Sequence, residues 1–288
     1  MADKKILENI KKLREITGVG FSDCKVAIAE SNGDIEKSIE YLRKKGIAKA
    51  SKKMSRVAAE GLVLLTEKKG NVSVIEINSE TDFVAKNKDF ISFCKEVSDL
   101  NFENKSDLNL LKSSKMKNGK TVEENLVTLI SKIGEKITIR RSKYFNNTGL
   151  NFSYVHNSSE KNIGKVISVV QLSKSNTKNL KDLGSKLAMH VAAQAPISID
   201  ENGIKKEILD KELEIIKEEL KNSGKKADMI EKIANGKIKK FISDNTLLNQ
   251  IWIMDTKLKV REVIKKHSDT NEIKVSDFIR FKVGEGID

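Results

Sequence analysis

Few residues in this 288-residue sequence have the types and spacing that enzymes use for catalysis. The histidines, His156, His190 and His267, are far apart in the sequence, and no pair of Cys or His residues has the spacing of a zinc site. The tripeptide Gly-Lys-Thr at 119–121 resembles the end of a phosphate-binding P-loop, but Ser114 occupies the position of that loop's first glycine. Carboxylates are abundant, yet nothing pairs two of them in a predicted cleft. We therefore expect no enzyme activity, no cofactor and no metal site.

Residues 78–87, the Phe83 segment, have features of a binding loop instead. The segment follows a strongly apolar predicted strand and precedes a predicted helix, and Phe83 lies between Asp82 and Lys86 among polar neighbours. Aromatic side chains that are exposed in loops often contact a partner. The spacing also allows Phe83 to begin the buried face of the next helix, together with the phenylalanines at positions 90 and 93. The residue pattern leaves both interpretations open.

The composition indicates a folded protein of the cytoplasm. Hydrophobic residues make up 38% of the chain and charged residues 33%, and no apolar run is long enough to cross a bilayer or to act as a signal sequence. Cys24 and Cys94 each lie in an apolar helical pattern, which favours two buried thiols over a disulfide. The net charge of +13 suggests nucleic-acid binding, but the basic residues are scattered and do not alternate with aromatic ones. An RNA-binding protein is therefore the alternative class.

The first 46 residues predict a small three-helix module. Four apolar residues have the spacing of one helix face: Ile6, Ile10, Leu13 and Ile16. This helix should end near Gly18, and Ser22 and Asp34 are candidate N-caps of the next two helices, with Gly46 as the C-cap of the third. Residues 47–60 are basic with few large apolar side chains, which indicates a linker or a solvated helix. A phosphate-binding patch is the functional alternative for this basic segment.

The rest of the chain repeats one order of elements, which predicts a duplicated α+β core. Two strands around 70–71 form a hairpin, a helix follows the Phe83 segment, a capping box at Thr121 starts another helix, and a strand over 136–145 closes the half. Strands over 152–156 and 166–172, helices from Leu180 and Val260, and a strand over 278–283 repeat this order. His190 shares a helix face with Leu183 and Leu187, which favours a core or interface histidine.

An insertion distinguishes the second half. Apolar residues repeat in steps of four and three from Leu209 to Leu220, and after Ser223-Gly224 a second helix carries Ile230, Ile233, Ala234 and Phe241. The apolar stripe is narrow and the outer faces are densely charged, so the spacing predicts an antiparallel helical hairpin that projects as a coiled-coil arm.

Several motifs resemble those of the elongation factor Ts family. Thr-Asp-Phe-Val-Ala-Lys-Asn at 81–87 is similar to the signature of that family, which is the nucleotide-exchange factor of elongation factor Tu. The other similar runs are Leu-Arg-Glu-Ile-Thr-Gly-Val-Gly at 13–20, Asp-Cys-Lys at 23–25, Asn-Gly-Asp-Ile-Glu at 32–36, Ala-Met-His-Val-Ala-Ala at 188–193 and Phe-Ile-Arg-Phe-Lys-Val-Gly-Glu-Gly at 278–286. The resemblance spans residues 6–286.

The resemblance implies a fold in five parts. These are a ubiquitin-associated-like module at 1–46, a basic linker at 47–60, a core subdomain at 61–148, a second core subdomain at 149–203 and 243–288, and an inserted dimerisation hairpin at 204–242. The implied partners are elongation factor Tu, GDP-bound and nucleotide-free, and a second copy of the chain through the hairpin. No membrane and no specific nucleic acid are expected.

The resemblance also implies roles for individual residues. In the family an Asp-Phe pair enters the G domain of elongation factor Tu and disturbs the elements that hold the Mg²⁺ and the phosphates of GDP. Asp82 and Phe83 match that pair, and the adjoining Thr81 and Val84 would hold them at the entrance of the helix. Four residues of the module and one of the second subdomain are further expected contacts: Arg14, Val19, Gly20, Phe21 and His156.

Overall fold

The computed structural model describes residues 2–17, 19–158, 160–173, 180–222, 227–268 and 272–287. An N-terminal three-helix module is followed by two antiparallel sheets that carry helices on their outer faces, which confirms the predicted α+β class. Within these residues, no helix has the length and apolar character needed to span a lipid bilayer.

The module consists of α1 (Ala2–Thr17), α2 (Phe21–Glu30) and α3 (Ile35–Lys53). Its core contains apolar side chains from these helices and from the connection after α1: Ile10, Leu13, Val19, Cys24, Ala27, Ile28 and Leu42. Asp34 accepts a hydrogen bond from the Lys37 amide, as expected of an N-cap. The predicted N-cap at Ser22 is wrong, because Gly20 occupies that position. The predicted stop at Gly18 lies outside the described residues.

Helix α3 passes through Gly46, so the predicted C-cap there is wrong. Gly46 lies against Val127 and Ser131 of α7 (Val122–Ile133), where a Cβ atom built on the glycine would come within 3.5 to 3.9 Å of their side chains. A glycine costs a helix about 1 kcal/mol relative to alanine. Packing against α7 offsets that cost, and the basic segment that follows is helical as far as Lys53.

The first sheet begins with the predicted hairpin. Strand β1 (Glu60–Lys68) pairs antiparallel with β2 (Asn71–Ser79). Lys69 and Gly70 form the turn with φ values of 50° and 76°. A two-residue turn with positive φ at both positions matches the twist of the strands. The turn lies one residue earlier than predicted, because Asn71 already belongs to β2.

The elements that complete this half are α4 (Asp82–Ala85), α5 (Lys88–Glu103), α6 (Leu108–Ser113), α7 and β3 (Ile137–Phe145). The capping box of α7 is confirmed, since the Thr121 hydroxyl accepts from the Glu124 amide at 3.1 Å and the Glu124 carboxylate accepts from the Thr121 amide at 2.9 Å. Helix α6 was not predicted. Asp107 caps it by accepting hydrogen bonds from the amides of Asn109 and Leu110.

The second half contains β4 (Leu150–His156), β5 (Ile163–Gly164), β6 (Val166–Leu172), α8 (Leu180–Gln194), α9 (Lys206–Asn222), α10 (Ala227–Asn245), α11 (Val260–His267) and β7 (Val275–Lys282). The sheets have strand orders β3-β2-β1-β5 and β4-β6-β7. In each sheet, therefore, the second long strand of the hairpin also pairs with the closing strand. This equivalence confirms the repeated order of elements, while β5 adds an unpredicted edge strand to the first sheet.

The two sheets pack face to face, with helices outside. The core between them joins β1, β2 and β3 to β6 and β7: Val63, Leu65, Val72, Val74, Phe145, Ile167, Val169 and Phe281. The opposite face of the first sheet is covered by α5 and α7, and that of the second by α8 and α11. The core therefore has four layers, in the order helices, sheet, sheet, helices.

Helices α9 and α10 form the predicted hairpin. Ile216 and Leu220 of α9 pack against Ile230 and Ala234 of α10. An ion pair of 2.9 Å between Glu219 and Lys237 crosses the same interface. The predicted break at Ser223-Gly224 lies outside the described residues.

Both cysteines are buried free thiols, as predicted. Burial raises the pKa of the Cys24 thiol and raises that of Cys94 well above its usual value. Neither thiol therefore provides a reactive nucleophile.

His190 is a core histidine, as predicted. Its Nε2 atom lies 3.0 Å from Oε1 of Gln250, the Ile253 amide donates to its Nδ1 atom at 3.4 Å, and its ring stacks on Trp252. Because Nδ1 accepts, Nε2 carries the proton and the ring is neutral. Burial lowers the pKa of His190 below the ordinary histidine value.

Protonation of His190 should destabilise the fold. Since its pKa is lower in the folded chain than in the unfolded one, its contribution to stability is complete above about pH 6.5 and is lost as the pH falls below that value. We expect His190→Gln to reduce the loss of unfolding free energy between about pH 7 and pH 5. Urea denaturation across this range, with His267→Gln as the control, measures the effect. An unchanged pH dependence in His190→Gln would contradict the assignment.

Candidate protein-interaction site

The Phe83 segment forms the turn between β2 and α5 and contains the short helix α4. Phe83 is 78% exposed, the highest value among the large apolar residues whose burial the structure describes. The next two residues, Val84 and Ala85, are buried in the core between the first sheet and its helices. Asn87 then caps α5 by accepting from the amides of Asp89 and Phe90. An exposed ring is thus fixed to a buried base, and the interpretation in which Phe83 begins the buried helix face is wrong.

Hydrogen bonds from the loop after α7 hold the start of this segment. The amide and the hydroxyl of Thr81 both donate to the Glu135 carboxylate, at 3.0 and 2.7 Å. In the opposite direction, the Lys136 amide donates to the Glu80 carboxylate at 2.5 Å. Arg56 also pairs with Glu80, at 3.3 Å. The residue before Asp82 is therefore fixed on both its main chain and its side chain.

Asp82 carries the charge beside the exposed ring. Its carboxylate accepts from the Lys86 ammonium at 2.7 Å, one helical turn away, and that ammonium lies 5.9 Å from the centre of the Phe83 ring. The hydrogen bond from Lys86 holds the pKa of Asp82 below its usual value, and the charge of Lys165 contributes. Asp82 is accordingly a carboxylate at neutral pH.

His156 and Asp82 are both close to Lys165. His156 is exposed at the end of β4, where its Nδ1 atom lies 3.1 Å from the Tyr154 hydroxyl. The Lys165 amide donates to the His156 carbonyl at 3.3 Å, and its ammonium pairs with Glu60 at 2.7 Å. The charge of the same ammonium lowers the pKa of Asp82. Glu60 lies opposite Ser79 of the Phe83 segment in the pairing of β1 with β2, so the ion pair of Lys165 with Glu60 connects the end of β4 to that segment.

The candidates of the module lie where α1 meets α2. Arg14, Gly20 and Phe21 are exposed, whereas Val19 is buried in the module core. Val19 can therefore support a contact surface but offers little surface of its own, and the same holds for Val84 in the Phe83 segment.

Two apolar residues of α1 lie on its exposed side, contrary to prediction. Ile6 and Ile16 were predicted on the inner face, but they are 46% and 55% exposed. The narrow helical stripe reaches the core only at Ile10 and Leu13, because α2 and α3 cover the middle of α1. Ile16 thus adds an apolar side chain to the exposed end of α1, close in sequence to Phe21.

This sequence is similar to a known protein family over most of its length. A family model described as Elongation factor TS matches residues 80–285. Elongation factor Ts of Rickettsia bellii is 41% identical over 285 residues, which cover 97% of this chain and 92% of that protein. Elongation factor Ts of Rickettsia akari is 42% identical over 285 residues, and that of Maricaulis maris is 38% identical over 286 residues, with the same coverage of both chains.

The chain belongs to the elongation factor Ts family.

This elongation factor Ts family member is therefore a translation elongation factor that acts in protein biosynthesis. The family-model match begins at Glu80 and includes Asp82, Phe83 and His156. The N-terminal module precedes that match and is covered by the alignments with the relatives. Within the described residues no group of three His, Cys, Asp or Glu side chains could hold a metal ion.

Proposed function

We propose that this chain binds elongation factor Tu in its GDP form, promotes GDP release and so allows GTP to rebind. The observation that carries the proposal is the 78% exposed ring of Phe83 on a buried base, within a segment that the family model matches. No covalent chemistry is involved, and the chain acts in the cytoplasm without a cofactor of its own.

The exchange follows from linkage between two ligands of elongation factor Tu. A protein that binds the nucleotide-free or distorted GTPase more tightly than the GDP form must weaken GDP binding by the same factor. An intermediate in which both ligands are held loosely then becomes accessible, and GDP leaves faster.

Asp82 and Phe83 are the residues that enter the G domain of the partner. Burial of a phenylalanine ring stabilises a contact by roughly 1.5–3 kcal/mol, and this gain arises only in the complex because the ring is exposed in the free chain. The carboxylate of Asp82 brings a negative charge towards the site that holds Mg²⁺ and the phosphates of GDP. Thr81 and Val84 fix the direction of the pair, and the result is displacement of Mg²⁺ from the partner.

The module and the second half supply the remaining contacts. The module contributes three exposed residues where α1 meets α2: the charged Arg14, Gly20 with its accessible backbone, and the aromatic Phe21. The buried Val19 supports them from the module core. His156 contacts the partner from the second half. These contacts add affinity around the intruding pair.

The hairpin forms a homodimer with a second copy of the chain. Ile208 and Ile215 of α9 are seven residues apart, which places them on one helix face, and both are exposed, as is Met229 of α10. Sedimentation equilibrium should give a concentration-dependent dimer for the unaltered chain and a weaker one for Ile215→Glu, with Asp210→Ala, at an exposed residue on another face of α9, as the control. A monomer at all concentrations would contradict the dimer.

Calorimetric titration of elongation factor Tu with the full chain tests the exchange function. We expect the chain to bind the nucleotide-free partner more tightly than the GDP complex. By linkage, the chain should weaken the affinity of the partner for GDP by the same factor. Equal affinity for both forms would contradict it. The RNA-binding alternative instead predicts affinity for RNA that falls steeply with salt and no effect on the GTPase.

A further inference from the structure

Two glutamates make a reciprocal clamp at the base of the Phe83 segment. Glu80 in the segment accepts from the amide of Lys136, and Glu135 accepts from the amide of Thr81. Each carboxylate thus binds the main chain of the residue that follows the other one. The two stretches, 80–81 and 135–136, are separated by more than 50 residues in the sequence but are fixed to each other by side chains from both sides.

The Thr81 hydroxyl takes part in the clamp and does not cap α4. Thr81 is the N-cap residue of α4, yet its side chain accepts no hydrogen bond from the helix. An N-cap threonine normally accepts from a backbone amide of the first turn. Here the hydroxyl donates to Oε1 of Glu135 at 2.7 Å, while the Thr81 amide donates to Oε2 at 3.0 Å. Both donors of the residue before Asp82 are therefore used to fix α4 on the body of the protein.

The clamp is itself held from the module side. The Lys136 ammonium donates to the carbonyls of Met54 and Arg56, at 2.7 and 2.8 Å. Arg56 pairs with Glu80, whose side chain is only 19% exposed. The limited exposure of Glu80 reduces solvent screening of the charge-assisted hydrogen bond that it accepts from the Lys136 amide, which is therefore stronger than one on an open surface. The result is a continuous connection from the end of α3 through residues 135–136 to the Phe83 segment.

We propose that Glu135 is a positioning residue for nucleotide exchange, which holds Phe83 in the direction from which it enters the partner. This inference rests on the proposed function of Phe83. Without the clamp, α4 has to be ordered during association, and this ordering costs binding free energy that the clamped segment does not lose. Glu135 binds the amide and the hydroxyl of Thr81, so its effect on exchange is transmitted through Thr81.

A double-mutant cycle distinguishes positioning from a general effect on folding. Glu135→Gln keeps the shape of the side chain but removes its negative charge. One neutral oxygen remains to accept from Thr81, and the Thr81 hydroxyl has to reverse its role and accept from the new NH₂ group, so both charge-assisted hydrogen bonds are lost. We expect this variant to slow the stimulated release of fluorescent GDP from elongation factor Tu by about tenfold. In the Phe83→Ala background the same change should have an effect within about twofold, because the ring is absent and only Asp82 is left to position. A purely structural role would reduce the rate by the same factor in both backgrounds.

Two further variants complete the experiment. Thr81→Val removes only the hydroxyl donor and should reduce the rate of GDP release less than Glu135→Gln does. In the Phe83→Ala background, Thr81→Val should have no effect. Glu123→Ala, at an exposed glutamate of α7, is the control and should leave release unchanged. Normal release by Glu135→Gln, or equal losses in both backgrounds, would overturn the positioning role. If Phe83→Ala alone releases GDP normally, the proposed function of Phe83 fails first, and the two failures are thereby distinguished.

Discussion

Phe83→Ala is expected to slow the stimulated release of GDP from elongation factor Tu by roughly ten- to a hundredfold. The physical reason is that the ring loses its roughly 1.5–3 kcal/mol of burial in the complex, which is gained only when the partner is distorted. The folded chain should keep its stability, because a side chain that is 78% exposed contributes little to the core. Stopped-flow release of fluorescent GDP and thermal unfolding measure the two properties separately.

Leu110→Ala is the matched control for this change. Leu110 lies on α6 and is 55% exposed, so its truncation removes a comparable amount of exposed apolar surface away from the Phe83 segment. We expect normal GDP release from this variant. Normal release from Phe83→Ala, or equal losses in the two variants, would show that the ring has no specific role in exchange.

Glu76→Ala is expected to lower the free energy of unfolding by about 3–5 kcal/mol and the melting temperature by roughly 6–20 °C. Glu76 of β2 is fully buried and accepts from Arg140 at 3.0 Å, from Arg141 at 2.5 Å and from the Gly284 amide at 2.9 Å. A β-bulge opposite Glu76 gives β3 one extra residue, and both neighbouring arginines can thereby reach the same carboxylate. Its loss removes the carboxylate that both guanidinium groups share and leaves the Gly284 amide without this acceptor.

The pH dependence of stability identifies the same carboxylate. Burial alone would raise the pKa of Glu76, but hydrogen bonds from the Gly284 amide, Asn78 and Arg141 together hold it below its usual value. A carboxyl with a lowered folded pKa stabilises the fold above about pH 4.3 and loses this contribution as the pH falls. Glu76→Gln should reduce the change of the unfolding free energy with pH below that value, and Glu123→Gln serves as the control. Equal acid sensitivity of Glu76→Gln and the unaltered chain would contradict this assignment.

Local signals in the sequence predicted most of the elements. The capping box at Thr121 and the apolar spacing after Leu180 depend on residues within a few positions of each other, and both predictions are confirmed. The continuation of α3 through Gly46 depends instead on contacts with α7, about 80 positions away, which outweigh a weak local signal. Pairing of β5 with β1 is also nonlocal. Gly164 permits the close approach of β5 to β4, because a Cβ there would lie 2.7 Å from the His156 carbonyl.

The candidate site was predicted in part for the same reason. The family motif at 81–87 identified Asp82 and Phe83, but the spacing of apolar residues could not decide between an exposed and a buried ring. The exposure of Phe83 depends on Val84 turning into the core and on Glu135 holding Thr81. No pattern in a single sequence indicates a hydrogen bond between side chains 54 positions apart.

Release of fluorescent GDP from elongation factor Tu, measured by stopped flow at increasing concentrations of the unaltered chain, tests the proposed exchange activity most directly. With excess unlabelled nucleotide present, we expect the release rate to rise with the concentration of the chain and to reach a plateau when the partner is saturated. A release rate that stays at its spontaneous value at every concentration of the folded chain would contradict the proposed function.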